Sequence, residues 1–282
     1  IIAERLGYGV TPSPYLTSAI IASTVLQLSK QREDILSKIV TGETRVGIAF
    51  NQAIRPAHKS GFEIKNGKLD GSILFAMDSD ADYYLVADSD KKIYLVDRNS
   101  TGFKSTPLST VEKTRSSAEL KFSQVEGNEI SHDPDIFDKA WNAGLVGLAA
   151  DNLGAAQCAL HQAVEYANQR EQFNRVIASF QAVKHMCAEM AAQLEPCRSM
   201  VWFAGHALAE LPEEARVTAC HTKAHLAEVA QFVAKTATEV HGGMGFTDLV
   251  GLHYWFKRCG ANRQWLGAPE FVRQEAAILQ GL

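Results

Sequence analysis

Tyr166-Ala-Asn-Gln-Arg-Glu-Gln-Phe-Asn-Arg-Val-Ile-Ala-Ser-Phe-Gln-Ala-Val-Lys-His185 is a polar, aromatic interlude between two long runs of helical sequence. It gathers cations, amides and aromatic rings together, and taken alone it reads either as a polar helix-helix turn or as a ligand-binding segment. An arginine with a phenylalanine three positions on has the chemistry to grip a diphosphate and cover an adenine. Upstream, Asp135–Gln169 reads as one helix, with Asp133 as its cap beside Pro134. Gly144, Gly147, Asp151, Gly154 and Cys158 recur on it at helical spacing, small enough to admit another backbone. Downstream, helices are expected over Ser179–Glu210 and Glu213–Val240. Only Pro196 and Pro212 interrupt the stretch from Asp135 to Ala268.

The second informative stretch is Val240-His-Gly-Gly-Met-Gly-Phe246. Glycine after a helix accepts the left-handed conformation, so Gly242-Gly243 is expected to end the third helix. Three glycines in four positions exceed what a cap requires, and bare backbone N–H groups let a ligand approach. Two shorter helices are expected over Val250–Ala261 and Pro269–Gln280.

Toward the start the character changes. Residues 1–42 read as helical, through Ile20, Ile21, Val25 and Leu26 and then Ile35, Leu36, Ile39 and Val40, with a loop at Thr11–Pro14. Ala118–Ser123 alternates with a period of two, and short strands fit Arg45–Phe50, Gly61–Ile64, Tyr83–Ala87 and Lys92–Val96. Lys65-Asn-Gly-Lys68 is a hairpin signal. The expected class is α+β with three divisions: helices over 1–42, a small antiparallel β-domain over 43–130, and a helical bundle over 131–282.

The chain has 282 residues, the size of about two domains. With 28 Lys+Arg against 32 Asp+Glu it lacks the basic excess of a nucleic-acid binder, and 46% hydrophobic residues exclude disorder. The apolar stretch Ser18–Leu28 is shorter than the ~20 residues a membrane helix needs. Glu4 and Arg5 argue against a secretory signal, and five cysteines without a C-x-x-C pair read as reduced thiols of a cytoplasmic protein. The chain opens at Ile1, so the natural start is expected to be trimmed or disordered and the helical region over residues 1–42 incomplete. His221 and His225 share a helix face, but a di-iron bundle wants two E-x-x-H pairs, and no metal site is expected. No G-x-S-x-G, P-loop or G-x-G-x-x-G frame is present.

Together the two stretches resemble the acyl-CoA dehydrogenase family. Its R-x-x-F followed by F-Q stands here as Arg170–Phe173 and Phe180-Gln181, and its H/F-G-G-x-G-F as His241–Phe246, about 70 positions apart. The resemblance covers nearly the whole chain. It implies N-terminal helices, a middle β-domain, a C-terminal bundle of four-helix type, and FAD held at a subunit interface. It implies that Arg170 meets the pyrophosphate and Phe173 the adenosine side. Gln181 adds a polar contact, and Gly242 and Gly243 offer backbone. The family removes an α-proton with a glutamate while a β-hydride passes to flavin. That glutamate has two family locations, which fall here on Leu266 (in Trp265-Leu-Gly-Ala-Pro-Glu270) and on Gly144. Neither accepts a proton; Asp151, about two helical turns beyond Gly144, is a carboxylate on the same helix.

The family's flavin-ring segments are replaced by Asn51–Pro56 and Phe75–Asp80, and two FAD-contacting glutamines by Glu239 and Glu270. Carboxylates beside a pyrophosphate repel it unless solvated. The chain therefore resembles the base-lacking subunit of heteromeric α2β2 steroid-type enzymes. Such a subunit shares FAD with a homologous partner, which supplies the glutamate, and the complex takes an acyl-CoA and an electron-transfer acceptor. The alternatives are a scaffold that binds no flavin and a homomeric flavoenzyme with an unrecognised base such as Asp151. A flavin monooxygenase on the same fold is a variant of the last.

Overall fold

A computed structural model describes residues 1–55 and 60–282; Pro56, the last position of the Asn51–Pro56 segment, lies outside the described residues. The chain opens with α1 (Ile2–Tyr8), a segment wound as a π-helix (Tyr15–Ala22), α2 (Ser23–Ser29) and α3 (Glu33–Thr41). Strand β1 (Val46–Ala49) and the short α4 (Asn51–Ile54) follow. Then come β2 (Gly61–Lys65), β3 (Lys68–Met77), β4 (Tyr83–Ala87), β5 (Ile93–Asp97), β6 (Phe103–Pro107), β7 (Ser117–Glu126) and β8 (Asn128–Ser131). The long α5 (Pro134–Gln169) leads through a hairpin, β9 (Glu171–Gln172) and β10 (Arg175–Val176), to α6 (Gln181–Glu210). Helices α7 (Pro212–His241), α8 (His253–Gln264) and α9 (Pro269–Leu279) complete it.

The eight strands β1–β8 form one sheet in the order β6-β7-β3-β1-β4-β5-β8, with β2 paired to β3. The β2–β3 hairpin turns on Asn66 and Gly67, both at positive φ (51° and 76°), as an Asn-Gly turn requires. On β7 the alternation buries Ala118, Leu120, Phe122 and Val125. The sheet departs from the expected antiparallel one: β1 and β4 run parallel, with Val46 opposite Tyr83. A parallel pair is joined through distant chain and leaves no turn signal between its strands. Strands β3, β6 and β8 were not expected either. Two register shifts break the alternation of β3 against β7, and β6 is half-exposed at the sheet edge.

By contacts the chain forms two units, Ile1–Pro12 with Leu145–Leu282, and Ser13–Gly144. The expected threefold division is thereby redrawn at both ends of the β-region. Helices after Ser13 go with the sheet: the buried Ser18 hydroxyl accepts the amide of Val46 (2.9 Å) and donates to its carbonyl (3.3 Å), completing the start of β1. The first turns of α5 go with it too. Phe137 packs on Phe50 at 4.9 Å between ring centroids, and Lys91 donates to Asp138 at 2.7 Å.

From Leu145 onward α5 belongs to the other unit. At about 1.5 Å per residue its 36 residues run about 54 Å. The Asp133 carboxylate accepts the amide of Asp135 at 3.0 Å, the expected cap. Ala155, Ala156, Ala159 and Ala163 are fully buried, so neighbours pack close to the backbone. Helix α1 crosses where a Cβ on Gly154 would lie 1.8 Å from the carbonyl oxygen of Glu4. Only glycine permits that approach. Leu153, Met190, Leu194, Leu226 and Val233 fill the core between α5, α6 and α7, each worth about 1.5–3 kcal/mol of burial. Among the described residues no helix is long and apolar enough to cross a membrane.

Candidate functional site

The helix α5 ends at Gln169, and the amide of Arg170 closes its last turn on the carbonyl of Tyr166 (2.8 Å). The chain then folds back as β9–β10, and the amide of Ile177 donates to the carbonyl of Arg170 (2.8 Å). Phe173 and Asn174 form the two-residue tip, both at positive φ (53° and 59°). Such a tip normally takes Asn-Gly. A phenylalanine there costs of order 1–2 kcal/mol in backbone strain. Its ring is 88% exposed, so the strain is not repaid by burial. Phe173 meets Phe180 edge-on at 6.1 Å, and the Arg175 guanidinium lies 4.0 Å over the Phe180 ring. Arg175 is thus engaged, whereas the Arg170 guanidinium is exposed and forms no ion pair among the described residues. Gln181, also exposed, is the first residue of α6, beside His185 (3.4 Å), where a helix offers unsatisfied N–H groups.

The glycine segment follows α7. The helix ends one residue later than expected, at His241, and Gly242 takes φ 57°, ψ −138°. That is not the expected left-handed helical cap but a region closed to residues with a side chain. Gly242 and Gly243 are exposed, with open space where a Cβ would stand. Gly245 instead packs against the carbonyl of Thr238. Phe246 is 79% exposed. The structure brings this segment beside the hairpin. The His241 ring, 4% exposed, stacks on Tyr166 at 4.5 Å and 24°. Its Nδ1 lies 2.7 Å from the carbonyl of Ala237, and burial holds its pKa below the ordinary value. Sequence reasoning gave no role to Tyr166 or Arg175, whose contacts with His241 and Phe180 tie this end of the bundle together.

Of the base positions, Gly144 lies in the first third of α5 and Leu266 in the α8–α9 loop. Leu266 is 4% exposed and at φ 58°, so a left-handed bend stands at a position that holds neither a glycine nor a carboxylate. Beneath it the fully buried Lys223 donates to the carbonyls of Arg263 (3.1 Å) and Gly267 (3.3 Å), and burial pulls its pKa down to about 7. Asp151 is buried and held by Arg258 (3.1 Å) and Asn262 (2.6 Å). A carboxylate locked in a buried ion pair is a structural anchor, not a mobile base.

Asn51 donates to the carbonyl of Leu74 (2.7 Å). Gln52 bonds the amide and the carbonyl of Phe62 (2.8 and 3.0 Å). Both side chains at that segment are thereby engaged within their own unit. Glu239 is half-exposed, 3.8 Å from Lys235, and Glu270 is exposed, 2.6 Å from Arg263. Both carboxylates are solvated or paired, which removes most of the repulsion they would direct at an anion. His221 and His225 are exposed, and no group of metal-binding side chains is gathered among the described residues. The single Glu-x-x-His of the chain, Glu129–His132, lies at the end of β8 rather than on a bundle helix. All five cysteines stand as thiols.

The family model described as "Acyl-CoA dehydrogenase, C-terminal domain" matches residues 136–278, just over half of the chain, including the hairpin and the glycine segment. The chain belongs to the acyl-CoA dehydrogenase family. It is 28% identical over 276 residues to acyl-CoA dehydrogenase IpdE2 of Mycobacterium tuberculosis, covering 96% of this chain and 74% of that protein. To 3-sulfinopropanoyl-CoA desulfinase of Paraburkholderia xenovorans it is 42% identical over 107 residues, 38% of this chain and 27% of that protein. Its fold matches a solved structure titled "Tcur3481-Tcur3483 steroid ACAD G363A variant" with TM-score 0.88 and 23% identity, over 99% of this chain and 79% of that one. It also matches the ChsE4-ChsE5 complex from Mycobacterium tuberculosis with TM-score 0.86 and 22% identity, over 99% and 79%. At such identities the solved structures establish the acyl-CoA dehydrogenase fold, an α+β arrangement of helices and mixed sheet.

Proposed function

We propose that the chain is a subunit of an FAD-dependent enzyme that desaturates an acyl-CoA thioester. In this reading it provides the clamp for the ADP half of the flavin and an oligomer interface, and a homologous partner subunit provides the catalytic glutamate. The observation that carries this is the contrast between two sets of positions. Arg170, Phe173, Gln181, Gly242 and Gly243 are exposed at one end of the bundle, while the base positions hold Gly144 and Leu266. The residues present fit the group. Arg170 suits a pyrophosphate, and the strained Phe173 offers a ring face to an adenosine. The Gly242 turn leaves a cradle that any Cβ would enter. When bound, the flavin would supply the acceptor for the substrate β-hydride. The chain's own residues bind and orient it, and no side chain at Gly144 or Leu266 can hold the α-proton.

The fold match to a solved structure titled as a steroid ACAD supports a bulky, steroid-side-chain thioester as the substrate class, and an electron-transfer protein is the proposed acceptor. Arg170→Ala tests the clamp. In the hetero-complex it is expected to cut flavin content severalfold, with stability changed by less than about 0.5 kcal/mol because the side chain is exposed. Unchanged flavin content removes the clamp role. Glu239, three residues before Gly242, favours the second reading, a scaffold that binds no flavin. In that case the wild-type complex is colourless.

A further inference from the structure

The two clamp segments lie about 70 positions apart in sequence, yet each begins at one member of a single aromatic pair. Tyr166 is one helical turn before Arg170, and its carbonyl accepts the Arg170 amide. His241 immediately precedes Gly242, the residue whose backbone leaves helical geometry. The rings stack at 4.5 Å between centroids and 24° between planes. The His241 ring is not free to drift. Nδ1–H of His241 is placed to donate to the carbonyl of Ala237 (2.7 Å), and the ring is almost fully buried. Beyond it the segment is held by Gly245 against Thr238 and by the Thr247 amide and hydroxyl, which both donate to the carbonyl of Met244. On the other side the Arg170 carbonyl is held by the Ile177 amide, and Phe180 carries Phe173 and Arg175.

We infer that Tyr166 and His241 are positioning residues. Their stack sets the separation of the Arg170 hairpin from the Gly242-Gly243 turn, and so the register in which the two segments grip one dinucleotide. This rests on the flavin-clamp reading above. Two segments that must contact the same ligand need their spacing fixed to a fraction of an ångström. A face-to-face ring pair supplies a fixed spacing through packing between the two segments. The imidazole also meets a geometric demand that a phenyl ring meets only incompletely: it stacks while its Nδ1–H engages the Ala237 carbonyl of its own helix.

Amide hydrogen exchange on the full chain, together with ADP binding by the co-purified hetero-complex, separates this inference from the reading it rests on. The variants are His241→Ala, Tyr166→Ala and the ring-retaining His241→Phe. Each alanine variant is expected to speed exchange in the segment it does not belong to. His241→Ala acts on 171–177 and Tyr166→Ala on 242–247, at least about fivefold, the scale of one aromatic contact. His241→Phe stays close to wild type. ADP affinity falls by a similar factor in both alanine variants and is retained in His241→Phe. If each alanine variant loosens only its own segment, the stack is local packing and the inference fails. If the wild-type complex binds no ADP, the clamp reading fails, and the exchange data still decide whether the stack couples the two segments.

Discussion

Phe173 is held at φ 53° at an exposed hairpin tip, a conformation that suits glycine or asparagine. A residue kept against its backbone preference points to use rather than to stability. Phe173→Gly is therefore expected to change unfolding free energy by less than about 1 kcal/mol, as relief of strain offsets the lost Phe180 contact. Flavin content of the complex should fall. A large loss of stability in urea would show that the ring is structural. Asp151 behaves oppositely. Asp151→Ala leaves Arg258 buried without its carboxylate, which costs about 3–5 kcal/mol. A variant with wild-type urea midpoint would contradict the anchor role. At this scale the motif residues were legible, because Arg170, Phe173, Gln181 and the glycines are neighbours within short words. Their supports were not. Tyr166 meets His241 across 75 positions (241 − 166) and Asp151 meets Arg258 across 107, and no local pattern announces such pairs.

The bundle helices were legible to within about three residues at each end, because proline spacing and 3.6-residue periodicity act locally. The small residues of α5 predicted a close crossing, and Gly154 is where α1 makes it. Gly154→Ala would drive a methyl into the Glu4 carbonyl and is expected to cost about 3 kcal/mol, read as a lower thermal midpoint. An unchanged midpoint would mean that α1 is not held there. The sheet was less legible: the β1–β4 parallel pairing and the interrupted strand β3 depend on partners far along the chain. The α8–α9 loop adds a pH dependence. Lys223 has a folded pKa of about 7 against an ordinary 10.5, from burial first and Arg263 second, opposed by Glu270. Between those values the unfolded chain binds a proton that the folded chain has released. The lysine's contribution therefore rises as pH climbs from about 7 toward 10.5 and falls as pH drops, by up to ~1.4 kcal/mol per unit. Lys223→Met should flatten that slope in urea titrations at pH 7, 8 and 9. An identical slope would place the titration elsewhere.

For the whole molecule, the division into a bundle unit and a sheet unit was legible in outline from the change of periodicity near residue 130. The assignment of residues 13–42 to the sheet unit was not, because it turns on contacts such as Ser18 with Val46. Family membership fixes the chemistry in general terms, and this chain's residues make it specific. The clamp positions are occupied and exposed, the base positions hold leucine and glycine, and Asn51 and Gln52 are engaged within the sheet unit. On the proposed reading, a chain with those properties completes a flavin site with a second subunit. Co-expression with a homologous acyl-CoA dehydrogenase chain, followed by purification and an absorbance scan, tests this most directly. The account predicts a colourless chain alone and a yellow complex with about one FAD per heterodimer. Flavin bound stoichiometrically by this chain without a partner would contradict it.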